Sequence, residues 1–516
     1  MVMDDAARRA RKSRRRASPA AAKPERRIDY RRLHNPFSPQ PAFSDDQIAE
    51  MHTTALRILE ELGIKVLLPE ARDIYRRAGA LVDDETEMVR LGREVVESAL
   101  ASAPKSFRLR GAVPDRDQVM ELGALSFQAG AGCPHATDRE RGRRPGSLED
   151  FLDTVKLVQG FDVLHTIGPT VEPQDVPIHL RHYAMTRGGL TLSDKPCFLY
   201  ARGTPQVEDG MEMIRLMRGL DRDAFLADAW TYTIINTNSP RTLDIPMAQG
   251  LIDFAKAGQM SIVTPFCLAG AMAPITVAGA ITLQHAEALA AIALAQLVRP
   301  GAPVMYGSFS SNVDMKSGSP AFGTPEHVTA TLGSGQLARL IGLPWRAAAA
   351  SAANVADAQA STETVMSLWA CLMAGATHVV HSAGWLEGGL TFSFEKMMID
   401  LEAVQTLAEL CTPPPGTTED IGFDAIAAVA PGGHFFAGDH TMSRYQTAFY
   451  EPLVADWSNF GTWSEAGART ADQRATDLWK QKLADYAPPA HDPARIEALD
   501  AFIARRTEQG GAAPVS

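Results

Sequence analysis

The residues that could carry chemistry lie just after a series of apolar runs in the middle of the sequence. The runs are Ala124–Gly130, Val163–Gly168, Pro196–Tyr200, Phe225–Ile235, Met260–Leu268, Pro303–Gly307, Arg346–Ser351 and His378–Ser382. If the runs are strands of a parallel barrel, the residues that end or follow them share one face. The candidates there are Glu172, Tyr200, Asn236, Asn238, Phe266, Tyr306, Asp314, Asn354, Asp357, Gln359, His381, Trp385 and Glu387. This face is rich in amides, aromatic rings and carboxylates.

Such a set of side chains is suited to binding an organic cation. Aromatic faces attract a quaternary ammonium by about 0.5–2 kcal/mol each, and nearby carboxylates add to the attraction. The aromatic candidates are Tyr306, Phe266, Trp385 and Tyr200, and the anionic ones are Glu172, Asp314, Asp357 and Glu387. Each aromatic residue could equally serve core packing.

Other chemistries fit these residues less well. No strand run ends in a lysine, as a Schiff-base mechanism would need. His378 and His381 are three residues apart on a predicted strand, so they face opposite sides and cannot hold one metal ion together. Cys133 and His135 could share a face, but no third ligand is evident, and we expect no metal site. A metal-dependent barrel lyase or hydrolase stays open as the alternative.

The spacing of the runs indicates the fold. Eight runs alternate with helical stretches over residues 121–412, which is typical of a (β/α)8 TIM barrel. A doubly wound sheet is the alternative, but its GxGxxG turn is missing. Around the barrel we expect a basic disordered tail at 1–38, a small N-terminal α/β cap at 39–120 and a helical C-terminal extension at 413–516. Ser44 and Gln47 predict a capping box at the first helix.

Composition narrows the class of protein. The chain has 516 residues, is 45% hydrophobic and carries a net charge of −11, so most of it is globular. Residues 1–32 hold 12 Lys and Arg but 4 Asp and Glu, without interleaved aromatics, and we expect no nucleic-acid partner. No apolar run is long enough to predict a membrane span. The five scattered cysteines favour a reducing cytoplasm.

Short segments spread along the chain carry a resemblance to a known family. They are Ala55–Gly63, Arg143–Pro145, Gln174–Pro177, Ala269–Pro274, Gln284–Glu287, Pro303–Gly307, Asp314–Met315, Asp357–Ala360, Gly384–Leu390, Pro431–Phe435 and His440–Thr441. In this order and spacing the chain resembles the trimethylamine methyltransferase-like family of corrinoid-dependent methyltransferases, from about residue 35 to about residue 505.

The resemblance implies a fold, an activity and a partner. It implies a (β/α)8 barrel whose mouth holds a methylated amine and receives a corrinoid carrier protein. One methyl group would pass to the Co(I) of that carrier, so this chain itself would bind no cofactor tightly. Family members without pyrrolysine look like demethylases of quaternary amines such as glycine betaine. We also expect a homo-oligomer, built through the C-terminal extension.

One stretch separates this chain from the pattern of the pyrrolysine-free members. We would expect a sequence like Ser-Asp-Ala-Lys before Asp357, but Ala352 and Asn354 stand where the acid and the special position fall. No pyrrolysine is written anywhere. A quaternary amine is therefore favoured over trimethylamine, because it already carries a neutral amine as its leaving group. A non-catalytic paralogue that merely binds a cation is the second alternative.

The resemblance and the residues together give the expected roles. We expect Tyr306, Glu172, Glu387 and Asn354 to act in catalysis. The expected substrate-binding residues are Phe266, Trp385, Tyr200, His381, Asn236, Asn238, Asp314, Asp357 and Gln359. Of these, His381, Asn236 and Asn238 are the candidates to meet the carboxylate of a betaine.

Overall fold

The computed structural model describes residues 28–515, which form two compact units. The larger unit holds residues 29–411 and 452–515, and the smaller holds residues 412–451 with Ile28. The predicted N-terminal cap, residues 39–120, therefore lies in the same unit as the predicted barrel. Of the predicted basic tail, residues 1–27 fall outside the described part of the chain.

The centre of the larger unit is an eight-stranded, mainly parallel sheet. Its strands are β1 Leu33–His34, β2 Ala124–Phe127, β3 Cys197–Phe198, β4 Thr231–Ile235, β5 Met260–Val263, β6 Val304–Gly307, β7 Trp345–Ala348 and β8 His378–Val380. Their spatial order is β1-β2-β8-β7-β6-β5-β4-β3. Strands β2 to β8 are parallel, whereas β1 pairs antiparallel with β2. Of the predicted (β/α)8 TIM barrel, the α/β fold built on a mainly parallel eight-stranded sheet is thus confirmed.

The strand count differs from the prediction in two places. Residues 163–168, predicted as a strand, make one hydrogen bond from His165 N to Phe127 O at 2.8 Å and one parallel bridge between Ile167 and Cys197. They therefore touch both β2 and β3 without forming a regular ladder with either. Strand β1 instead comes from residues that were predicted to belong to the disordered tail.

Further short strands form smaller sheets. They are Ile64–Val66, Leu81–Asp83, Met88–Arg90, Ser106–Leu109, Gln118–Glu121, His135–Thr137, Arg144–Pro145, Thr242–Leu243, Phe266–Ala269, Phe309–Val313, Pro320–Ala321, Trp385–Leu386 and Thr391–Ser393. The strand Phe266–Ala269 pairs in parallel with Phe309–Val313. These two strands directly follow β5 and β6 along the chain, so they lie beyond the carboxyl ends of the main sheet.

Helices connect the strands and complete the larger unit. Up to residue 411 they are Asp45–Arg57, Pro69–Arg77, Arg93–Ser102, Leu148–Gln159, Arg181–Leu192, Thr204–Arg218, Arg222–Ala227, Ile245–Ala257, Val277–Val298, Pro325–Ile341, Ala358–Met373 and Phe394–Leu410. The predicted capping box is confirmed, because the Ser44 and Gln47 side chains bond each other's backbone N–H. Thr324 likewise caps the helix that begins at Pro325.

The helix Val277–Val298 has the length and composition of a membrane span, which inspection of the sequence had not found. Its most apolar 18-residue window is 83% buried inside the structure. Buried on nearly all sides, the helix is apolar all round for the same reason that core helices of large proteins are.

The sheet has two faces with different neighbours. On the inner face, Tyr232, Met260, Ile262 and Met305 pack together in a small apolar cluster of their own. Trp345, on the other face, belongs to the main core, and its Nε1 donates to Gly375 O beyond the helix Ala358–Met373. Because side chains alternate along a strand, a shift of one residue moves a side chain from the inner space to the helix layer.

The C-terminal residues 452–515 return to the larger unit as helices. They form the helices Phe460–Glu465, Ala471–Ala484 and Pro493–Glu508. Glu402, on the helix Phe394–Leu410, fixes this return, because its Oε2 accepts hydrogen bonds from the N–H groups of Leu453, Val454 and Ala455. Trp479 Nε1 donates to Glu395 on the same helix.

The smaller unit is made of three short helices, Thr418–Ile421, Phe423–Ala427 and Asp439–Met442. A capping box between Thr417 and Asp420 begins the first of them. The unit exposes several large apolar side chains, among them Phe423, Phe436 and Phe449. Its segment Pro431–Phe436 forms turns and not a strand.

Candidate functional site

Five aromatic rings gather at the carboxyl ends of the parallel strands. Phe309 lies at the centre, with ring centroids 5.0 Å from Phe266, 5.5 Å from Phe322, 5.4 Å from His381 and 5.8 Å from Trp385. The strands that follow β5 and β6 supply Phe266 and Phe309, and the loop after β8 supplies His381 and Trp385. We call Phe266, Phe309, Phe322, His381 and Trp385 the aromatic cluster.

His381 and Trp385 form the tightest stack in this cluster, at 4.5 Å and an interplanar angle of 23°. Hydrogen bonds to Ala131 hold both rings: Ala131 N donates to His381 Nδ1 at 3.2 Å, and Trp385 Nε1 donates to Ala131 O at 3.2 Å. His381 has φ 62°, a left-handed conformation that costs a non-glycine residue about 1–2 kcal/mol. The surrounding bonds therefore hold His381 in a strained backbone.

The charge state of His381 matters for binding a cation. Burial, and then the nearby Arg346 guanidinium, hold the pKa of His381 well below its ordinary value. The ring is therefore neutral at physiological pH. Since Nδ1 accepts a hydrogen bond from Ala131, the proton of the neutral ring resides on Nε2. A neutral ring can join an aromatic surface without repelling a cation.

Arg346 is buried directly beside the cluster. Its side chain is 1% exposed, and its guanidinium carbon lies 5.0 Å from the centre of the Phe309 ring. Nη1 donates to Ser308 O at 3.2 Å, whereas Nε has no partner. Within residues 28–515, no carboxylate pairs with Arg346. Burial lowers the pKa of Arg346 to about 9, so it remains a cation at neutral pH.

The register of the strands puts Arg346 on the inner face of the sheet. On β7, Arg346 pairs with Gly307 of β6 and with His378 of β8. Paired residues on neighbouring strands point to the same side. His378 lies among inner-face groups, since its ring is 6.2 Å from that of Tyr232. Gly307 has no side chain, and the Thr264 hydroxyl occupies the place that a Cβ of residue 307 would take.

Gln128, directly after β2, connects the inner-face polar groups. Its Oε1 accepts hydrogen bonds from Thr166, Tyr232 and His378, at 3.1, 2.5 and 3.2 Å. Its Nε2 is buried without a partner. The bond to Gln128 places the proton of neutral His378 on Nε2, and burial lowers the pKa of His378 to about 3.

Tyr200 and Glu172 form a second group, separate from the aromatic cluster in its contacts. The Tyr200 hydroxyl donates to Glu172 Oε1 at 2.8 Å. Arg202 and Arg181 also approach the Glu172 carboxylate, at 3.2 and 3.7 Å. The guanidinium of Arg202 lies 4.7 Å from the Tyr200 ring centre. The negative charge of Glu172 is thus already balanced by Arg202 and Arg181. The Tyr200 ring is already in contact with the Arg202 guanidinium.

The carboxylate of Glu387 also forms an ion pair with an arginine. Arg143 Nε and Nη2 bond the two carboxylate oxygens of Glu387 at 2.9 and 3.0 Å. Hydrogen bonding and charge from Arg143 lower the pKa of Glu387 against the opposing effect of burial. This pair joins the segment before the helix Leu148–Gln159 to the loop that carries Trp385.

Tyr306 lies outside both groups. It is fully buried, and its hydroxyl bonds Gln284 Nε2 and His285 Nδ1, each at 3.1 Å, on the helix Val277–Val298. The preceding residue, Met305, faces the inner space. The structure therefore does not bring Tyr306 together with Trp385 and Phe266, because its position in β6 has the opposite parity.

The remaining predicted site residues lie at turns and helix ends. Asp357 caps the helix Ala358–Met373, Gln359 bonds Glu363, and Asp314 accepts hydrogen bonds from Ser317. Asn354 is exposed, as is Asn238, which pairs through its backbone with Thr242. Asn236 is half-buried after β4. These contacts give each of the three bonded side chains a local structural role.

The pair Lys396–Asp400 supports the loop that carries the cluster. Lys396 Nζ lies 2.7 Å from Asp400 Oδ1, and both side chains are buried. Asp400 Oδ2 accepts a hydrogen bond from Gly384 N at 2.8 Å, next to Trp385. Burial raises the pKa of Asp400, so Lys396 is needed to keep it ionised.

Three residues of the site were missed at the sequence level: Phe309, Phe322 and Arg346. Phe309 follows β6 by two residues, and the predicted run simply ended before it. Arg346 had a usable signal, because it is a charged residue that begins the predicted apolar run Arg346–Ser351. A cation within a buried strand needs a reason, and here the strand faces the site.

The described residues contain no group of three or more His, Cys, Asp or Glu side chains placed to hold a metal ion. Cys133 is buried, and burial raises the pKa of its thiol well above the ordinary value. His135 contacts Leu390 O and the Arg143 side chain. Neither residue forms a ligand set with the other in this structure.

Comparison with known proteins gives consistent matches along the chain. The family model described as trimethylamine methyltransferase matches residues 7–511. A glycine betaine methyltransferase of Desulfitobacterium hafniense strain Y51 is 36% identical over 471 residues, covering 91% of this chain and 97% of that protein. A trimethylamine methyltransferase of Desulfitobacterium hafniense strain DSM 10664 is 29% identical, covering 90% and 94%. A crystal structure of Methanosarcina barkeri monomethylamine methyltransferase aligns with a TM-score of 0.42 and 10% identity, covering 90% and 93%.

Proposed function

Since the chain belongs to the trimethylamine methyltransferase family, we propose that it demethylates a quaternary amine of the betaine class. The methyl acceptor would be the Co(I) of a separate corrinoid protein, which acts as the second substrate. The observation that carries this proposal is the similarity to a glycine betaine methyltransferase over nearly its whole length. The chain matches a trimethylamine enzyme less closely, at 29% against 36% identity.

The proposed reaction is an in-line displacement. The cobalt(I) electron pair attacks one methyl carbon, the carbon–nitrogen bond breaks, and nitrogen keeps the bonding electrons. Glycine betaine would leave as neutral-nitrogen dimethylglycine, and the methyl group would remain on cobalt. No proton moves, so the protein contributes orientation of the methyl group and exclusion of water.

The aromatic cluster is the proposed place for the ammonium group. Four of its members are Phe266, Phe309, Phe322 and Trp385, whose faces attract a cation by about 0.5–2 kcal/mol each. The fifth, His381, is neutral because its pKa is lowered, so it adds surface without repulsion. This role replaces the one expected for Tyr306, which faces the helix layer.

The expected catalytic carboxylates take a different role in this proposal. Glu172 and Glu387 each have arginine partners, so neither has a free charge to offer the substrate. We propose that they order the loops after the strands, Glu172 next to Tyr200 and Glu387 next to Trp385. Asn354, being exposed at the rim, would face the incoming carrier protein.

Several finer expectations belong to the same proposal. The sheet would close as a complete (β/α)8 barrel if residues 163–168 complete the gap between β2 and β3, as their contacts with Phe127 and Cys197 support. Residues 39–120 would act as a cap and 413–516 as an extension that joins subunits. The protein would work in the cytoplasm with a corrinoid carrier, and with neither nucleic acid nor membrane.

A methyl-transfer assay tests the function directly. Purified protein, a reduced corrinoid carrier and a panel of glycine betaine, proline betaine, carnitine, tetramethylammonium and trimethylamine are combined, and methylcobalamin formation is followed by absorbance. We expect transfer from a betaine and none from trimethylamine. Absence of transfer from every quaternary amine, with binding retained, would instead favour the non-catalytic cation-binding protein.

Trp385→Ala tests the aromatic cluster in that assay. Removing this ring takes away the partner of His381 and one face of the cluster, so kcat/KM should fall by about 100-fold or more, equivalent to about 3 kcal/mol. Trp369→Ala is the matched control, since Trp369 is 39% exposed on the helix Ala358–Met373. Equal activity of the two variants would remove the cluster from the proposal.

A further inference from the structure

Arg346 differs from the other buried cations of the described chain. Arg72, Arg116 and Lys396 pair with carboxylates at 3.1, 2.6 and 2.7 Å. Lys195 donates to two backbone carbonyls, and burial lowers its pKa to about 7 against the opposing charges of Asp162 and Asp194. Arg346 alone among these five has one backbone carbonyl and no carboxylate.

A buried charge without a counter-charge is costly, so its presence needs an explanation. Moving a guanidinium out of water costs several kcal/mol even after the protein relaxes. A single carbonyl at 3.2 Å satisfies one of its five N–H donors. Arg346 is the second residue of β7, but its guanidinium reaches the Ser308 carbonyl and the Phe309 ring just beyond the carboxyl end of β6, the end of a parallel sheet at which ligands bind. A ligand that brings a negative charge would supply what the chain does not.

Two further side chains on the inner face of the sheet carry buried hydrogen-bonding groups without partners. Thr264 Oγ1 is buried and lies where a side chain of Gly307 would be, beside the strand of Arg346. Gln128 Nε2 is buried against Gly168, and the Oε1 of the same side chain is bonded to His378, the register partner of Arg346. Each of the three can donate a hydrogen bond. Three unpartnered donors with one positive charge match the chemistry of a carboxylate.

We infer that Arg346 binds the carboxylate of the substrate, with Thr264 and Gln128 as the neighbouring donors. The inference rests on the proposed function and narrows its substrate to amines that carry a carboxylate close to the ammonium. The guanidinium carbon of Arg346 lies 5.0 Å from the centre of the Phe309 ring, so the proposed carboxylate site is next to the aromatic cluster. One end of the zwitterion meets Arg346, and the other meets the aromatic cluster.

The assignment predicts which amines are excluded. Choline and tetramethylammonium have the cationic group and lack the carboxylate. They would leave Arg346 buried and unpaired, a penalty that betaines avoid. His381, Asn236 and Asn238, the donors expected from the sequence, are not needed for this contact. Arg346 is thus a specificity-determining residue, distinct from those that hold the ammonium.

The first experiment needs no methyl transfer and no variant. 3,3-Dimethylbutyrate is glycine betaine with carbon in place of nitrogen, so it carries the carboxylate without the positive charge. 3,3-Dimethyl-1-butanol has the same tertiary-butyl group and no charge at all. Calorimetric titration of the wild-type protein should detect the acid and find the alcohol at least about 30-fold weaker. Equal affinities for acid and alcohol would overturn the assignment.

Variants at position 346 then test the residue itself. Arg346→Met should weaken binding of 3,3-dimethylbutyrate and glycine betaine by about 100-fold, and leave tetramethylammonium binding within about threefold. Arg346→Lys keeps the positive charge but lacks the planar guanidinium, and it should bind both compounds about tenfold more weakly. Lys316→Gln removes an exposed positive charge after the strand Phe309–Val313 and should bind as the wild type does. Circular dichroism and thermal unfolding establish that each variant is folded.

The outcomes separate this inference from the proposed function. Arg346-dependent binding of the acid without methyl transfer would keep the carboxylate site and reject the enzyme. Methyl transfer from glycine betaine with unchanged KM in Arg346→Met would keep the enzyme and reject the carboxylate site. If Arg346→Met does not fold, the comparison of acid with alcohol and the Arg346→Lys variant still decide.

Discussion

Lys396 and Arg346 are buried cations of the same unit whose surroundings differ in one respect. Lys396 has the Asp400 carboxylate at 2.7 Å and the Thr364 hydroxyl at 2.7 Å. Arg346 has the Ser308 carbonyl and the face of Phe309. Lys396 therefore belongs to the internal balance of charges that keeps a loop in place, whereas Arg346 remains unbalanced until something else binds. The contrast separates a residue that maintains the site from one that acts in it.

Replacing Lys396 should have the largest effect on stability. Lys396→Met leaves Asp400 buried without its counter-charge, and the free energy of unfolding should fall by about 3–5 kcal/mol. Urea denaturation measured by circular dichroism gives this value. The neighbouring N–H of Gly384 then loses a fully ionised acceptor, so the loop to Trp385 should loosen as well.

The double variant Lys396→Met with Asp400→Leu is the control for this prediction. It removes both charges and leaves no buried carboxylate, so it should recover a large part of the lost stability. If the double variant were as unstable as Lys396→Met alone, the lost packing of Lys396 and not the isolated charge would explain the effect. The free energies of the two variants therefore locate the cause.

Lowering the pH should reduce the free energy of unfolding through His378, the register partner of Arg346. Its folded pKa of about 3 lies below the ordinary value of 6.5, so the unfolded chain binds the proton first as the pH falls. The stability contributed by neutral His378 is present above pH 6.5 and declines below it, by about 1.4 kcal/mol per pH unit. At pH 5 the loss from this one residue should reach about 2 kcal/mol.

His378→Gln makes that contribution measurable. Glutamine does not titrate, so the dependence of the unfolding free energy on pH between 6.5 and 5 should become shallower by the amount given for one histidine. The measurement is a series of urea denaturations at fixed ionic strength. An identical slope in the variant and the wild type would show that His378 is protonated in the folded protein.

The smallest effect on stability is expected at Arg346. Arg346→Met removes a cation that has no carboxylate partner in the described chain and replaces it by an apolar side chain of similar length. The free energy of unfolding should stay within about 1 kcal/mol of the wild type or rise. A loss as large as that of Lys396→Met would mean that Arg346 is part of the internal charge balance, and the comparison would fail.

Local signals in the sequence led to correct elements. The capping box of Ser44 and Gln47 depends on residues three positions apart, and it formed as predicted. Seven of the eight predicted strand runs contain a strand of the main sheet. The prediction of a strand at residues 163–168 was not met, because the sequence shows an apolar run but not whether its backbone forms a regular ladder with neighbouring strands.

The site was harder to predict, since it depends on which face of a strand a residue occupies. Tyr306 and Phe309 both stand near the end of β6, but the first faces the helix layer and the second joins the aromatic cluster. Parity and register distinguish them, and neither is visible in a single sequence. The ion pairs Glu172–Arg202 and Glu387–Arg143 join residues far apart in the chain, so their matched charges were equally hidden.

The three hydrogen bonds that Glu402 accepts determine where the chain rejoins the larger unit after residue 451. The chain leaves the helix Phe394–Leu410 at its end, and Leu453 rejoins it at Glu402, about 12 Å back along the same axis. Residues 412–451 are therefore a segment of the chain that begins and ends next to one helix. Closing such a loop costs only slightly more as it lengthens. A change in the length of this segment should therefore alter the free energy of unfolding of the larger unit only slightly.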